Sequence, residues 1–166
     1  IHESSVGIIG YSGNRQQVSS EGSGVVLGPN GDKTGTYIIT CAHVIDVASA
    51  KIVVQTADGS QYDAKLVGLD SKTDIGLVYV ANTSLKAAEF ADSDTLEVGD
   101  AIYAIGNPGG IQFFGSFTNG MVSAIGRPVD SPVGYEVACI QHTAAINPGN
   151  SGGALVNGHG QIVGIN

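Results

Sequence analysis

Ala144-Ala145-Ile146-Asn147-Pro148-Gly149-Asn150-Ser151-Gly152-Gly153-Ala154-Leu155 sets a serine in a glycine-flanked turn just ahead of an apolar strand. Such a turn holds the Ser151 hydroxyl outward. Gly149, lacking a Cβ, reaches backbone angles that let its amide face a pocket. Together with the Ser151 amide it makes a pair of donors suited to a developing oxyanion. Small residues fill turns everywhere, so this stretch alone is weak. Two other segments strengthen it. Ile38-Ile39-Thr40-Cys41-Ala42-His43-Val44-Ile45 is a β-branched run that delivers a histidine. Thr73-Asp74-Ile75-Gly76-Leu77-Val78-Tyr79-Val80 opens another strand on an aspartate.

A serine hydroxyl is a weak nucleophile near neutral pH and needs an adjacent base. His43 is the candidate base, since imidazole ordinarily titrates near 6.5. Asp74 is the candidate that fixes one imidazole tautomer and stabilises the imidazolium formed during attack. Each alone has a plainer explanation: a structural turn serine, a packed histidine, a turn-forming aspartate. Their order along the chain, His then Asp then Ser, is that of chymotrypsin-type triads.

The runs TCAHVI, TDIGLV, VGDAIYAIGNPGG and QHTAAINPGNSGGALVNGHGQIVGIN resemble the protease domain of the HtrA (Deg) family of trypsin-like serine proteases, from about Gly22 to the last residue. The resemblance implies an all-β fold of two six-stranded antiparallel barrels, the second incomplete at the C-terminal side. It implies endopeptidase activity on unfolded or extended polypeptides, outside the cytoplasm, with His43, Asp74 and Ser151 catalytic. Gly149, Asn150 and Ser151 form the expected oxyanion hole, and Ala145, Ile146 and Asn147 the expected substrate-binding residues. It also implies a homotrimer and a downstream PDZ domain in a longer parent, neither of them within these residues. No metal or other cofactor is expected. The alternative is a truncated fragment or pseudo-protease that folds and binds peptides without cutting them.

Departures from related patterns carry information. Asn150 stands where digestive trypsins have an aspartate that receives a newly cut N-terminus; an amide carries no charge for that ion pair. Ala145 stands where trypsins carry an acidic pocket base. With Ile146 it suggests an apolar floor and cleavage after small aliphatic residues. An apolar pocket separates neighbours weakly, by about 1–3 kcal/mol per methylene. His142 and Thr143 replace a threonine and an acidic residue of the family pattern. The plain reading is altered packing and charge; the alternative is a change in loop order or subsite preference.

The chain has 166 residues, 42% apolar, with 25 glycines. That suffices for one sizeable core or two small barrels sharing an interface. Short β-branched runs separated by Gly, Asn and Asp favour strands. The boundaries expected are a first barrel over about 1–81, a crossing over about 82–99 and a second barrel over about 100–166. Ser12 to Glu21 reads as a loop, and Ala42 to Asp46 as a short helical turn. The net charge of −8, with only seven Lys and Arg, argues against binding nucleic acid. No apolar run approaches the ~18 residues of a membrane span. Cys41 and Cys139 match no metal-site spacing, and read either as two apolar thiols or as a bridge. Gly106-Asn107-Pro108-Gly109-Gly110 lacks the Lys-Ser/Thr of a phosphate loop. Asn82-Thr83-Ser84 fits a glycosylation triplet that matters only in a glycosylating pathway. The strand signal at Gly164-Ile165-Asn166 has no turn after it, so a further strand and weak activity of these residues alone are expected.

Overall fold

A computed structural model describes residues 1–13, 17–46, 51–107, 111–131 and 133–166. The first half supplies β1 (Ser5–Tyr11), β2 (Val18–Pro29), β3 (Gly35–Cys41), α1 (Ala42–Ile45), β4 (Lys51–Gln55), β5 (Gln61–Asp70) and β6 (Ile75–Ala81). These strands close into a barrel in the order β1-β2-β3-β6-β5-β4. Alternation explains the closure. Along β6, Gly76, Val78 and Val80 are buried while Ile75, Leu77 and Tyr79 are half-buried, as period-two side chains require. Val6, Ile8, Val26, Ile38, Val54, Val78 and Val80 are fully buried inside. Each such side chain contributes about 1.5–3 kcal/mol on burial. The Asp58-Gly59 turn joins β4 to β5, with Gly59 at φ 84°, a conformation open to glycine.

The second half supplies β7 (Ala101–Gly106), β8 (Ser116–Asp130), β9 (Glu136–His142), β10 (Ala154–Asn157) and β11 (Ile162–Ile165). These form a five-stranded antiparallel sheet ordered β11-β10-β7-β8-β9. The all-β, trypsin-like expectation holds: one barrel is closed, and the second is a curled open sheet around Ile102, Ala104, Val122, Leu155 and Val163. A third cluster joins the halves, with Val25 of β2 packed among Ile105, Ala154, Val156 and Ile162. Residues 88–91 bond to both halves. Ala88 donates to Val26, Ala91 donates to Ile162, and Ile162 donates back to Glu89.

One boundary differs from the loop reading of Ser12 to Glu21, and one strand runs on beyond any apolar pattern. Val18–Glu21 belongs to β2, pairing with Ile9, Gly10 and Tyr11. β8 runs to Asp130, which pairs with Glu136. In both extensions backbone pairing makes the strand while most side chains face solvent, so no apolar alternation marks it. The loop reading at 14–16 and the glycine-rich turn at 108–110 lie outside the described residues. Both cysteines are free thiols, Cys41 buried and Cys139 half-buried.

Candidate active site

β3 ends at Cys41, and the chain turns at once into α1, whose first turn carries His43. The first amides of a helix lack intrahelical acceptors, and no side chain of α1 or its N-cap supplies one. Asp74 does so from the start of the neighbouring strand, where Ile75 of β6 pairs with Cys41 of β3. Its carbonyl accepts from the Ala42 amide at 2.8 Å, and its Oδ1 accepts from the His43 amide at 2.9 Å. Its Oδ2 lies 2.6 Å from His43 Nδ1. Asp74 has φ 58°, a left-handed conformation that Asp tolerates better than most side chains. That backbone lets one residue present its carbonyl and both carboxylate oxygens to α1.

A carboxylate only accepts, so Nδ1 carries the hydrogen of a neutral His43 ring and Nε2 is left with the lone pair. The His43 side chain is 55% exposed and that of Asp74 31% exposed. The ring is therefore open to a partner.

The loop between β9 and β10 bears Ser151. It is fastened to the first barrel by residues the sequence reading did not single out. Ser23 in β2 is fully buried. Its amide donates to the Ser151 carbonyl at 2.8 Å, and its hydroxyl donates to the Gly149 carbonyl at 2.7 Å. The same hydroxyl accepts from the Asn107 amide at 2.8 Å. Asn107 in turn donates through Nδ2 to Val6 and accepts from Gly115 through Oδ1. The Ser23 carbonyl takes a bond from Thr40 Oγ1 at 2.7 Å. No local motif announces Ser23 or Asn107. The only sequence hints are a serine between two glycines and an asparagine closing a strand.

Gly152, at φ 83°, packs so closely that a Cβ there would strike Ser23, Thr40 and the Cys41 amide. The turn is tightened by Asn150 N–H donating to Asn147 and Gly153 N–H donating to Asn150. Gly149 adopts φ 101°. Among the described residues no backbone group accepts from the amides of Gly149 or Ser151. Two donors thus stand beside the serine without a competing acceptor. Asn150 itself is buried, and its Oδ1 has no partner among the described residues.

A cleft of about 480 Å³ opens between β9 and β11. Its walls are largely apolar, including Ile75, Val137, Ile140, Ile146, Leu155 and Ile165, with His142 and Asn166 as polar points. Of the three expected substrate-binding residues, Ile146 lines this cleft. Ala145 is exposed beside it, its carbonyl held by Thr118 Oγ1, and the Asn147 side chain is exposed while its carbonyl closes the turn. Burial pushes the His142 imidazole below its ordinary 6.5, against the smaller raising effects of Asn166 and Ala144. Its Nδ1 is buried without a partner among the described residues.

Comparison with known proteins agrees with this arrangement. The trypsin-like peptidase domain model matches residues 22–165. The periplasmic serine endoprotease DegP of Salmonella typhimurium is 47% identical over 158 residues, 95% of this chain and 32% of that protein. A probable periplasmic serine protease do/HhoA-like of Haemophilus influenzae is 50% identical over 146 residues, 87% of this chain and 30% of that protein. Among solved structures, the HtrA-type protease AlgW with tripeptide superposes with a TM-score of 0.85 at 34% identity, covering 99% of this chain and 50% of the other. The chain spans about a third of the length of these curated relatives. The chain belongs to the trypsin-like peptidase domain family, in its DegP/HtrA branch.

Proposed function

We propose that the chain is the catalytic domain of a serine endopeptidase, with Ser151 the nucleophile, His43 the base and Asp74 its orienting partner. The observation that carries this reading is the 2.6 Å contact between His43 Nδ1 and Asp74 Oδ2. It fixes the tautomer in which Nε2 is free to accept a proton. As the Ser151 hydroxyl attacks a peptide carbonyl, its proton passes to His43 Nε2, and the new Oγ–C bond creates a tetrahedral oxyanion. The amides of Gly149 and Ser151 are the donors for that charge, with Asn150 shaping the turn between them. His43 then gives the proton to the leaving amine as the C–N bond breaks. Water, activated by the same imidazole, hydrolyses the acyl-enzyme.

The proposed substrates are unfolded or extended polypeptides, whose backbone is free to enter an open site. The apolar cleft with Ile146, flanked by Ala145 and Asn147, fits small aliphatic side chains better than Lys or Arg, because an unpaired buried cation is costly. An extracytoplasmic location, a downstream PDZ domain and assembly as a trimer follow from the branch resemblance and belong to the same proposal. So does the division into a first barrel over about 1–81 and a second over about 100–166. The test is degradation of a casein-type unfolded protein, with the cut sites sequenced. The expected result is cleavage after Val, Ala or Ile that Ser151→Ala abolishes. Turnover persisting at the wild-type rate in that variant, or a profile dominated by Lys and Arg, contradicts the proposal.

A further inference from the structure

The proposed mechanism leaves one group beside the His43–Asp74 pair without a task. Cys41 closes β3 directly before α1 and is 6% exposed. Its thiol donates to the Asn166 carbonyl at 3.3 Å. The Cys41 Sγ, a ring nitrogen of His43 and a carboxylate oxygen of Asp74 all lie within 4.8 Å of one another. Burial, and after it the Asp74 charge, push the thiol up to about 12, so at rest it keeps its proton.

We propose that Cys41, His43 and Asp74 form a binding site for a thiophilic divalent cation of the Zn²⁺ or Cd²⁺ class, whose occupancy silences the serine site. Binding rests on the geometry alone; the silencing rests on the peptidase reading. Sulfur, imidazole nitrogen and one carboxylate oxygen suit such ions, whereas Mg²⁺ and Ca²⁺ ask for shells of oxygen. Bonds of about 2.3 Å to sulfur and about 2.0–2.2 Å to nitrogen and oxygen place tetrahedral ligands about 3.4–3.6 Å apart. The three atoms lie within 4.8 Å of one another, so side-chain shifts of about 1 Å bring them to that spacing, the Nδ1–Oδ2 contact of 2.6 Å opening by less than 1 Å. The half-exposed side of His43 and Asp74 leaves the fourth vertex to water.

The protons balance simply. The Cys41 S–H bond breaks as the sulfur–metal bond forms, and that proton leaves to solvent. The Nδ1 hydrogen transfers through water to Nε2, so that the Nδ1 lone pair binds the metal. No electron changes hands. The metal-bound tautomer carries N–H where the Ser151 proton would have to go, so the base is lost even before steric exclusion. Positions 41, 43 and 74 follow no metal-site spacing, which is why the sequence gives no sign of the cluster.

Titration of the metal-free protein with Cd²⁺, followed by its ultraviolet thiolate charge-transfer absorbance and by competition with Zn²⁺, tests the site. One equivalent is expected to saturate the band, with Ser151→Ala and Cys139→Ser behaving as the wild type. Cys41→Ser is expected to remove the band. His43→Ala, a change at an exposed side chain, is expected to weaken binding by more than the roughly 10–100-fold that loss of an outer partner costs. That variant decides the matter if Cys41→Ser fails to fold. No band, a band lost only with Cys139→Ser, or a titration indifferent to His43→Ala overturns the site. Fluorophosphonate labelling of Ser151 is expected to slow as Zn²⁺ binds and recover with chelator. An unchanged rate at full occupancy overturns the silencing, whereas labelling absent without metal counts against the peptidase reading and leaves the absorbance result standing.

Discussion

Replacing Ser23 by alanine removes one hydroxyl that satisfies two groups from distant parts of the chain. The Asn107 amide, buried at the end of β7, loses its acceptor at 2.8 Å. The Gly149 carbonyl, in the serine turn, loses its donor at 2.7 Å. A buried donor or acceptor left unmade costs about 1–3 kcal/mol. The Asn107 amide is fully enclosed and belongs in the upper part of that range. The Gly149 carbonyl is partly enclosed and belongs near the bottom. The sum is a loss of about 3–4 kcal/mol. Urea denaturation, with slope and midpoint both fitted, measures it. Ser19→Ala is the internal control, because the Ser19 hydroxyl donates a single partly buried bond to Gly10 at 3.1 Å, worth about 1 kcal/mol or less. If Ser23→Ala and Ser19→Ala cost the same, Ser23 is not the fastening point between the serine turn and the first barrel.

Gly152→Ala is expected to destabilise by about 2–5 kcal/mol, combining a left-handed φ for alanine with overpacking against Ser23, Thr40 and Cys41. Gly158→Ala, with open space around the added methyl, is expected to leave the thermal midpoint nearly unchanged; equal midpoints for the two variants contradict the packing described. His142 sits below its ordinary 6.5, so the unfolded chain binds that proton first. Its contribution is present above about pH 6.5 and is lost as pH falls further. His142→Gln should therefore flatten the fall in urea midpoint between about pH 7.5 and about pH 5.5, and an identical fall in both proteins refutes the assignment.

The parts of this molecule that were legible in its sequence are those decided locally. Ile38–Ile45 announces a strand and a histidine-bearing turn because apolar alternation stops where the helix begins. Asp58-Gly59 marks its hairpin because its backbone angles demand such residues. The Gly149–Gly153 turn is likewise written in glycine. What stayed hidden is decided by distance. Ser23 acts on Gly149 across 126 positions and Asn107 on Ser23 across 84, and neither has a neighbour in sequence that reveals it. Val18–Glu21 is a strand only because β1 lies beside it. Asp74 shows the divide within one residue. Its place before a strand is visible in sequence, but its service to two amides of α1 requires β6 to pair with β3.

The central claim is that Ser151 is activated by His43 held on Asp74. A fluorophosphonate reagent, reacted with the intact protein and mapped by peptide mass spectrometry, tests it most directly. A single adduct on Ser151 is expected, with labelling strongly suppressed in His43→Ala, which removes the base without touching the fastening at Ser23. An adduct on any other serine, or labelling of Ser151 at the same rate in His43→Ala, would contradict it.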